Sequence, residues 1–249
     1  MSATLNVTLL YHSPEPERAV ASAGRLCYSA STAAQLKEGM SADAVEKLVK
    51  QLVRSGHLST LEHASFTFGV DGISRACSHQ LVRHRLASYS QQSQRYVRFS
   101  EESGFIIPPK IAEDPEALAV FEEAMGQAEA AYARLVELGT ARGLAKETVQ
   151  EDARFVLPNA AETRIVVTMN ARELRHFFRI RCCRRAQWEI NVLAWRMRAL
   201  ALAAAPMLFR RSGPDCLYGK CHEGKMYCGQ IYTLEEVAEM EEWMESIEW

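Results

Sequence analysis

Leu5–Tyr11 is an apolar, β-branched run closed by His12-Ser13-Pro14, which predicts a first strand. Behind Ser41, the apolar residues Val45, Leu48, Val49, Leu52 and Val53 recur at helical spacing up to Gly56, predicting an N-capped helix. Over Ala64–Val70, Phe66, Phe68 and Val70 alternate with Ser65, Thr67 and Gly69, the pattern of a half-buried strand. Ile73–Leu86 reads as helix and the polar Ser88–Ser93 as irregular chain. Asp114-Pro115, a cap followed by proline at the first helical position, opens a long Ala/Glu-rich helix to about Arg142. Leu144–Leu157 is a further helical stretch, stopped by Pro158. Glu162–Met169 predicts a strand with Ile165, Val167 and Met169 on one face. One helical pattern then runs from Ala171 to Ala205, ended by Pro206. In the tail, residues 212–249, a Gly- and Cys-rich loop precedes Thr233-x-x-Glu236, a capping box that opens an acidic helix. Strands and long helices mix without strict βαβ alternation. That order predicts a single α+β domain over residues 1–249, a largely antiparallel sheet flanked by long helices.

Composition narrows the class. The 249 residues carry a net charge of −2, which argues against a general nucleic-acid binder. No apolar run approaches the ~20 residues that cross a bilayer, and Met1–Leu10 lacks the basic start of a signal peptide. The 7 cysteines are odd in number and include the adjacent Cys182–Cys183, against a disulfide framework. These features lead to the expectation of a cytoplasmic protein with no membrane partner.

Of the 29 basic residues, 22 are Arg and 7 are Lys, and the Arg residues cluster. Gly72–Ser100 holds five Arg and two His with no acid, and Arg172–Arg185 holds six Arg against Glu173. Glu235–Glu248 holds seven Glu and no base. Arg offers a planar fork of donors suited to phosphate, carboxylate and heterocycle edges. The chain therefore predicts a local anion site within a near-neutral surface.

Chemistry is densest from Gln80 to Tyr96, where Arg83, His84 and Arg85 crowd together and Ser90, Gln91, Gln92, Ser93 and Gln94 add neutral partners. Such a cluster repels itself unless an anion or distant carboxylates satisfy it. Arg83-His84-Arg85, seven residues and Ser93 make the arrangement R-H-R-x7-S, which resembles the signature of the flavin-dependent thymidylate synthases. Gln94-Arg95-Tyr96 continues the match, and Leu61-Glu62-His63, Arg154-Phe-Val-Leu-Pro158, Asn170-Ala-Arg172, Arg181 and Ala186-Gln187-Trp188-Glu189 follow in order.

The resemblance implies reductive methylation of dUMP to dTMP, with 5,10-methylenetetrahydrofolate as carbon donor, reduced FAD as reductant and NADPH as electron source. All are anions, so the Arg excess has a physical reason. It implies FAD contacts from Ser65, Arg83, His84, Arg85, Gln91, Asn170, Ala171, Arg172 and His176. It implies a dUMP site of Gln80, Leu81, Val82, Arg83, Gln91, Gln92, Ser93, Gln94, Arg95, Arg154 and Arg181, with His63 near flavin or folate. Arg181 takes the chemical role: a guanidinium beside the uracil ring stays protonated and stabilises developing negative charge. Ser93 is read as a nucleotide contact, since no His–Asp pair is placed locally to make it a nucleophile. Gln91 stands where some relatives carry Glu, and His176 where an Asn can occur. The resemblance also implies a homotetramer with active sites at subunit interfaces and no nucleic-acid partner.

Other signals are weaker. Cys216, Cys221, His222 and Cys228 lack the short ligand spacing of zinc sites, so no metal is expected. Cys182–Cys183 reads as core packing, Trp188, Trp195 and Leu202 as a helix face, and Arg179, Arg184 and Arg185 as ion-pair formers toward a partner or subunit. Two other classes of function remain. One is a single-strand binder stacking bases on Tyr89, Tyr96 and Phe99; the other is a non-enzymatic nucleotide sensor.

Overall fold

In the computed structural model, which describes residues 4–99 and 103–239, the alternation around Phe66 is realised as a strand. Four strands form one antiparallel sheet in the order β1-β2-β4-β3: β1 (Asn6–His12), β2 (Ser65–Ser74), β3 (Ala87–Gln91) and β4 (Glu162–Asn170). Phe66, Phe68 and Val70 of β2 and Ile165, Val167 and Met169 of β4 are all buried, as the period-2 pattern requires. Helices α1 (Pro16–Leu26), α2 (Ala33–Gly39), α3 (Ala42–Ser55), α4 (Arg75–Leu81), α5 (Pro109–Ala112), α6 (Pro115–Ala141), α7 (Lys146–Ala153), α8 (Ala171–Arg181), α9 (Trp188–Ala204) and α10 (Pro206–Phe209) complete the α+β fold. No helix among the described residues is long and apolar enough to cross a membrane.

The chain divides into two compact units. One comprises residues 4–6, Val70–Arg83 and Ser90–Ile165; its core gathers Phe99, Tyr132, Val136, Val149, Ala153 and Ala161. Asp114 opens α6 as expected, its carboxylate accepting from the backbone of Glu116 and Ala117. Phe99 is buried against Tyr132, so it cannot serve as a stacking platform for bases. Gly72 sits at φ 69°, and a Cβ there would lie 2.1 Å from the Thr4 carbonyl oxygen. Gly72→Ala combines left-handed strain with overpacking and should destabilise by about 3 kcal/mol. The check is a lowered urea midpoint at unchanged slope.

The second unit comprises Val7–Gly69, His84–Tyr89 and residues 166–239. Here α3 is capped as expected, with Ser41 Oγ accepting from Ala44 N and Gly56 closing the helix at φ 72°. Phe209 packs edge-on against Phe66 and Phe178 at ring distances of 5.2 and 5.9 Å. Met207 N donates to the Glu17 carboxylate, tying α10 to α1. Thr233 and Glu236 cap each other reciprocally at the start of the last described helix, residues 234–239; the rest of the expected acidic helix lies outside the described residues.

Three segments differ from the sequence reading. The helix expected over Ile73–Leu86 shrinks to α4, because β2 runs to Ser74 and Ser74 Oγ caps the helix by accepting from Cys77 N. Ser88–Ser93, expected to be irregular, overlaps β3, an edge strand without an aliphatic stripe that is held by pairing with β4. The single helix expected over Ala171–Ala205 breaks at 182–187. Asn191 Nδ2 donates to the carbonyls of Arg181 and Cys183, and Gln187 caps α9. α1 and α2 were not anticipated, although Thr32 and Gln35 make a full capping box. Trp195 is buried but Trp188 is 37% exposed, so the sevenfold row is not one packing face.

Candidate active site

Asn170 ends β4 and caps α8, its side chain accepting from Glu173 N at 2.9 Å. This junction aims Arg172, Arg175, His176 and Arg179 along one face of α8, at the i, i+3, i+4 and i+7 spacing of a helix stripe. That face lines a cavity of about 850 Å³. Its opposite walls come from the end of α3, the turn around Glu62, and the loop from Arg211 to His222.

The charge balance in the cavity is uneven. Six cations (Arg54, Arg172, Arg175, Arg179, Arg211 and Lys220) face three acids, Glu62, Glu173 and Asp215. Glu62 pairs with Arg172, and Asp215 is shared between Arg179 at 3.5 Å and His222 at 3.0 Å. Arg175 is a wall support, donating to the carbonyls of Leu208 and Arg211. The remaining excess is positive, so the cavity suits an anion.

Behind this wall lies a buried polar chain. His84 is 7% exposed, and its Nε2 accepts from Arg181 Nε at 3.0 Å. A guanidinium Nε can only donate, which assigns the His84 proton to Nδ1. Nδ1 faces Glu173 Oε1 at 3.4 Å. Phe177 packs edge-on against the ring at 4.9 Å, and Tyr89 Oη donates to the His84 carbonyl at 2.8 Å. Burial, reinforced by the charges of Arg181 and His176, lowers the His84 pKa to about 4, so the imidazole is neutral at pH 7. Burial raises the Glu173 carboxyl and, with the Glu173 charge, raises the Tyr89 hydroxyl.

A pH effect follows. The unfolded chain binds the His84 proton near the ordinary 6.5 and the folded chain only near 4. Stability therefore falls as pH drops through that window, by at most about 3 kcal/mol. Glu173, with its raised carboxyl, acts in the opposite sense, so the informative comparison is wild type against His84→Gln. The variant should flatten the acid limb of unfolding free energy against pH; an unchanged limb would remove His84 as its source.

The expected site residues fall into the two units. In the second, Asn170, Arg172 and His176 line the cavity. Ala171 is fully buried and its N–H is donated to the Ala64 carbonyl. His63 and Arg85 are exposed and Ser65 is half-buried, but none of the three lines the cavity. In the first unit, Gln80 and Arg83 lie at the end of α4, while Leu81 is fully buried and has only its main chain to offer. Gln91 Nε2 donates to Ser78 Oγ at 3.0 Å and Thr163 Oγ1 at 3.1 Å, consistent with an amide rather than a carboxylate here. Ser93 Oγ accepts from Arg95 N, Arg95 pairs with Glu151 at 2.7 Å, and Arg154 Nε donates to the Glu151 carbonyl. Gln92 N donates to the Arg164 carbonyl, while Gln94 is half-buried and Val82 exposed.

Sequence reasoning missed Arg54, Arg211 and Lys220, since nothing local links them to α8. Glu173 was visible as the lone acid among six Arg, without its partner. Arg179, Arg184 and Arg185 find partners within the chain, in Asp215, Glu236 and Glu223. Cys182 is buried, its thiol pushed up by burial, and none of the seven cysteines forms a disulfide.

A family model described as thymidylate synthase complementing protein matches residues 8–207. A flavin-dependent thymidylate synthase of Geobacter sulfurreducens is 54% identical over 228 residues, 91% of this chain and 94% of that protein. One from Clostridium tetani is 46% identical, covering 94% and 96%. Among solved structures, a UMP/dUMP methylase, PolB from Streptomyces cacaoi bound with 5-Br dUMP, matches with a TM-score of 0.71 at 25% identity, covering 84% of this chain and 94% of that one.

Proposed function

This chain belongs to the flavin-dependent thymidylate synthase family, and from that premise we propose that it methylates dUMP reductively to dTMP. The observation that carries this reading is 54% identity sustained over 91% of the chain, which spans every motif quoted above. In balance, dUMP, 5,10-methylenetetrahydrofolate, NADPH and a proton give dTMP, tetrahydrofolate and NADP⁺. The transferred methylene needs one hydride to become methyl, which FAD, when bound, would supply with electrons drawn from NADPH.

The cavity along α8 fits a pyrophosphate-bearing cofactor. Its cationic excess and the N-terminus of α8 both favour negative charge. Arg172 and His176 would hold FAD there, beside the Asn170 cap. Arg83, Ser93, Arg95 and Arg154 would anchor the nucleotide, their donors suited to a phosphate. Arg181 would face the uracil ring and stabilise the charge that develops as its neighbouring carbon becomes nucleophilic. His84 fixes the plane of that fork through Nε without adding a charge, because it is neutral. Glu173 in turn fixes the His84 tautomer. Both are positioning residues.

The enzyme acts as a cytoplasmic homotetramer with active sites at subunit interfaces. Leu86, 71% exposed, and Phe155, 83% exposed, are large apolar groups suited to burial against another copy. Light scattering of the purified protein reads the assembly. The decisive assay supplies FAD, NADPH, dUMP and 5,10-methylenetetrahydrofolate and scores dTMP by chromatography. FAD-dependent product is expected; folded, flavin-loaded protein that makes none overturns the reading.

A further inference from the structure

A second cavity, of about 450 Å³, opens beside the first within the same unit. Its apolar lining is Val53, Pro206 and Met207, and its cations are Lys50, Arg54, Arg210 and Arg211 against the single acid Glu46. Glu46 pairs with Lys50 and also feels the charge of Arg210, so one carboxylate is shared among the four cations. Among the described residues, Arg54, Arg210 and Arg211 have no carboxylate at ion-pair distance. Arg54 Nε donates to the Lys50 carbonyl, and Arg211 lies over the Tyr218 ring at 5.5 Å. Clustered guanidinium groups left this way call for an anion from outside.

Two features define that anion. Arg54 and Arg211 wall both cavities, so a co-substrate that reacts beside FAD in the larger one can extend its far end into the smaller. Cations also run on along α3, where Lys47, Lys50 and Arg54 follow one another at i, i+3 and i+7, with Lys47 and Arg54 lining a third, shallow depression. A row of separate cations fits charges repeated along a flexible chain better than one compact phosphate. The apolar floor fits the uncharged links between them.

We infer that the second cavity and the Lys47–Lys50–Arg54 row bind the glutamyl chain of the folate co-substrate, so that folates with several glutamates are preferred. The inference rests on the thymidylate synthase reading. NADPH and dUMP are also anionic, but their charge sits on phosphates, a monoester in dUMP and a 2′-phosphate and a diphosphate in NADPH, with no run of carboxylates along a flexible chain.

The test compares KM for monoglutamyl and pentaglutamyl methylenetetrahydrofolate in wild type and in Lys50→Gln/Arg210→Gln. Wild type should favour the pentaglutamyl form about tenfold, the scale of a few exposed charge pairs acting together. The preference should fall below about twofold in the double variant and shrink in high salt as such pairs are screened. The thermal midpoint of the variant reports its fold. KM for NADPH and for NADH is measured in parallel. No preference in wild type, or one that survives the substitutions, overturns the inference. So does a variant that instead loses discrimination between NADPH and NADH, since that would assign the cations to the 2′-phosphate. Turnover of the monoglutamyl substrate by wild type reads the underlying enzyme assignment separately.

Discussion

Arg181→Lys should lower kcat for dTMP formation by about a hundredfold or more, the scale of losing one donor aimed at developing charge. The substitution keeps the positive charge, so an electrostatic role that needed charge alone would survive it. What it removes is the fork. In the native site Nε donates to His84 at 3.0 Å and so sets the plane in which the other guanidinium nitrogens lie. An ammonium cannot both hold His84 and present donors in a fixed plane to a uracil carbonyl and ring nitrogen. The dUMP KM should change far less than kcat, because the phosphate is held by other residues. His84→Gln keeps a neutral side chain that can accept a hydrogen bond and should reduce kcat only about tenfold, a partial loss of positioning. Steady-state rates on flavin-loaded protein decide the matter, and near-normal turnover by Arg181→Lys removes Arg181 from the chemistry.

The largest effect on stability should come from Arg198→Leu. Arg198 is 2% exposed on α9; its Nε donates to the Ser212 carbonyl at 2.8 Å and its Nη2 to Tyr218 Oη at 3.3 Å. Tyr218 Oη donates onward to the Arg210 carbonyl. Leucine fills part of the volume but strands the buried Ser212 carbonyl and releases Tyr218 Oη, at a cost of about 3–5 kcal/mol. For a chain of this size that corresponds to a fall of roughly 10 °C in the unfolding midpoint. The same bonds hold the loop from Ser212 to Tyr218, which walls the main cavity, so FAD affinity should weaken as well. Calorimetry and flavin fluorescence read the two effects independently. A midpoint within about 2 °C of wild type would show that the loop is held by other contacts.

Several elements were legible because their cause is local. α3 and α6 carry their caps in the sequence, at Ser41 and Asp114, and their apolar spacing needs no partner to be recognised. The same holds for the alternating faces of β2 and β4. Segments whose state depends on a distant partner were misread. β3 is Ala-Ser-Tyr-Ser-Gln, a polar run that becomes a strand only because β4 offers it a hydrogen-bonding edge. The break between α8 and α9 rests on Asn191 reaching back to the carbonyls of Arg181 and Cys183, which a continuous helical pattern conceals.

The site divides in the same way. Residue types at motif spacing, Arg83 to Ser93 and Asn170 to Arg172, indicated an anion site, since anion recognition demands such donors wherever the chain puts them; the family and its chemistry came from the resemblance of those residues to a known signature. Tertiary structure alone decided that Glu173, His84 and Arg181 form one polar chain, because the 96 residues between His84 and Arg181 must fold before burial can hold the imidazole neutral. It alone gathered Arg54, Arg211 and Lys220 around α8. A charge reads in sequence as a residue, but its partner and its dielectric surroundings exist only once the chain is folded.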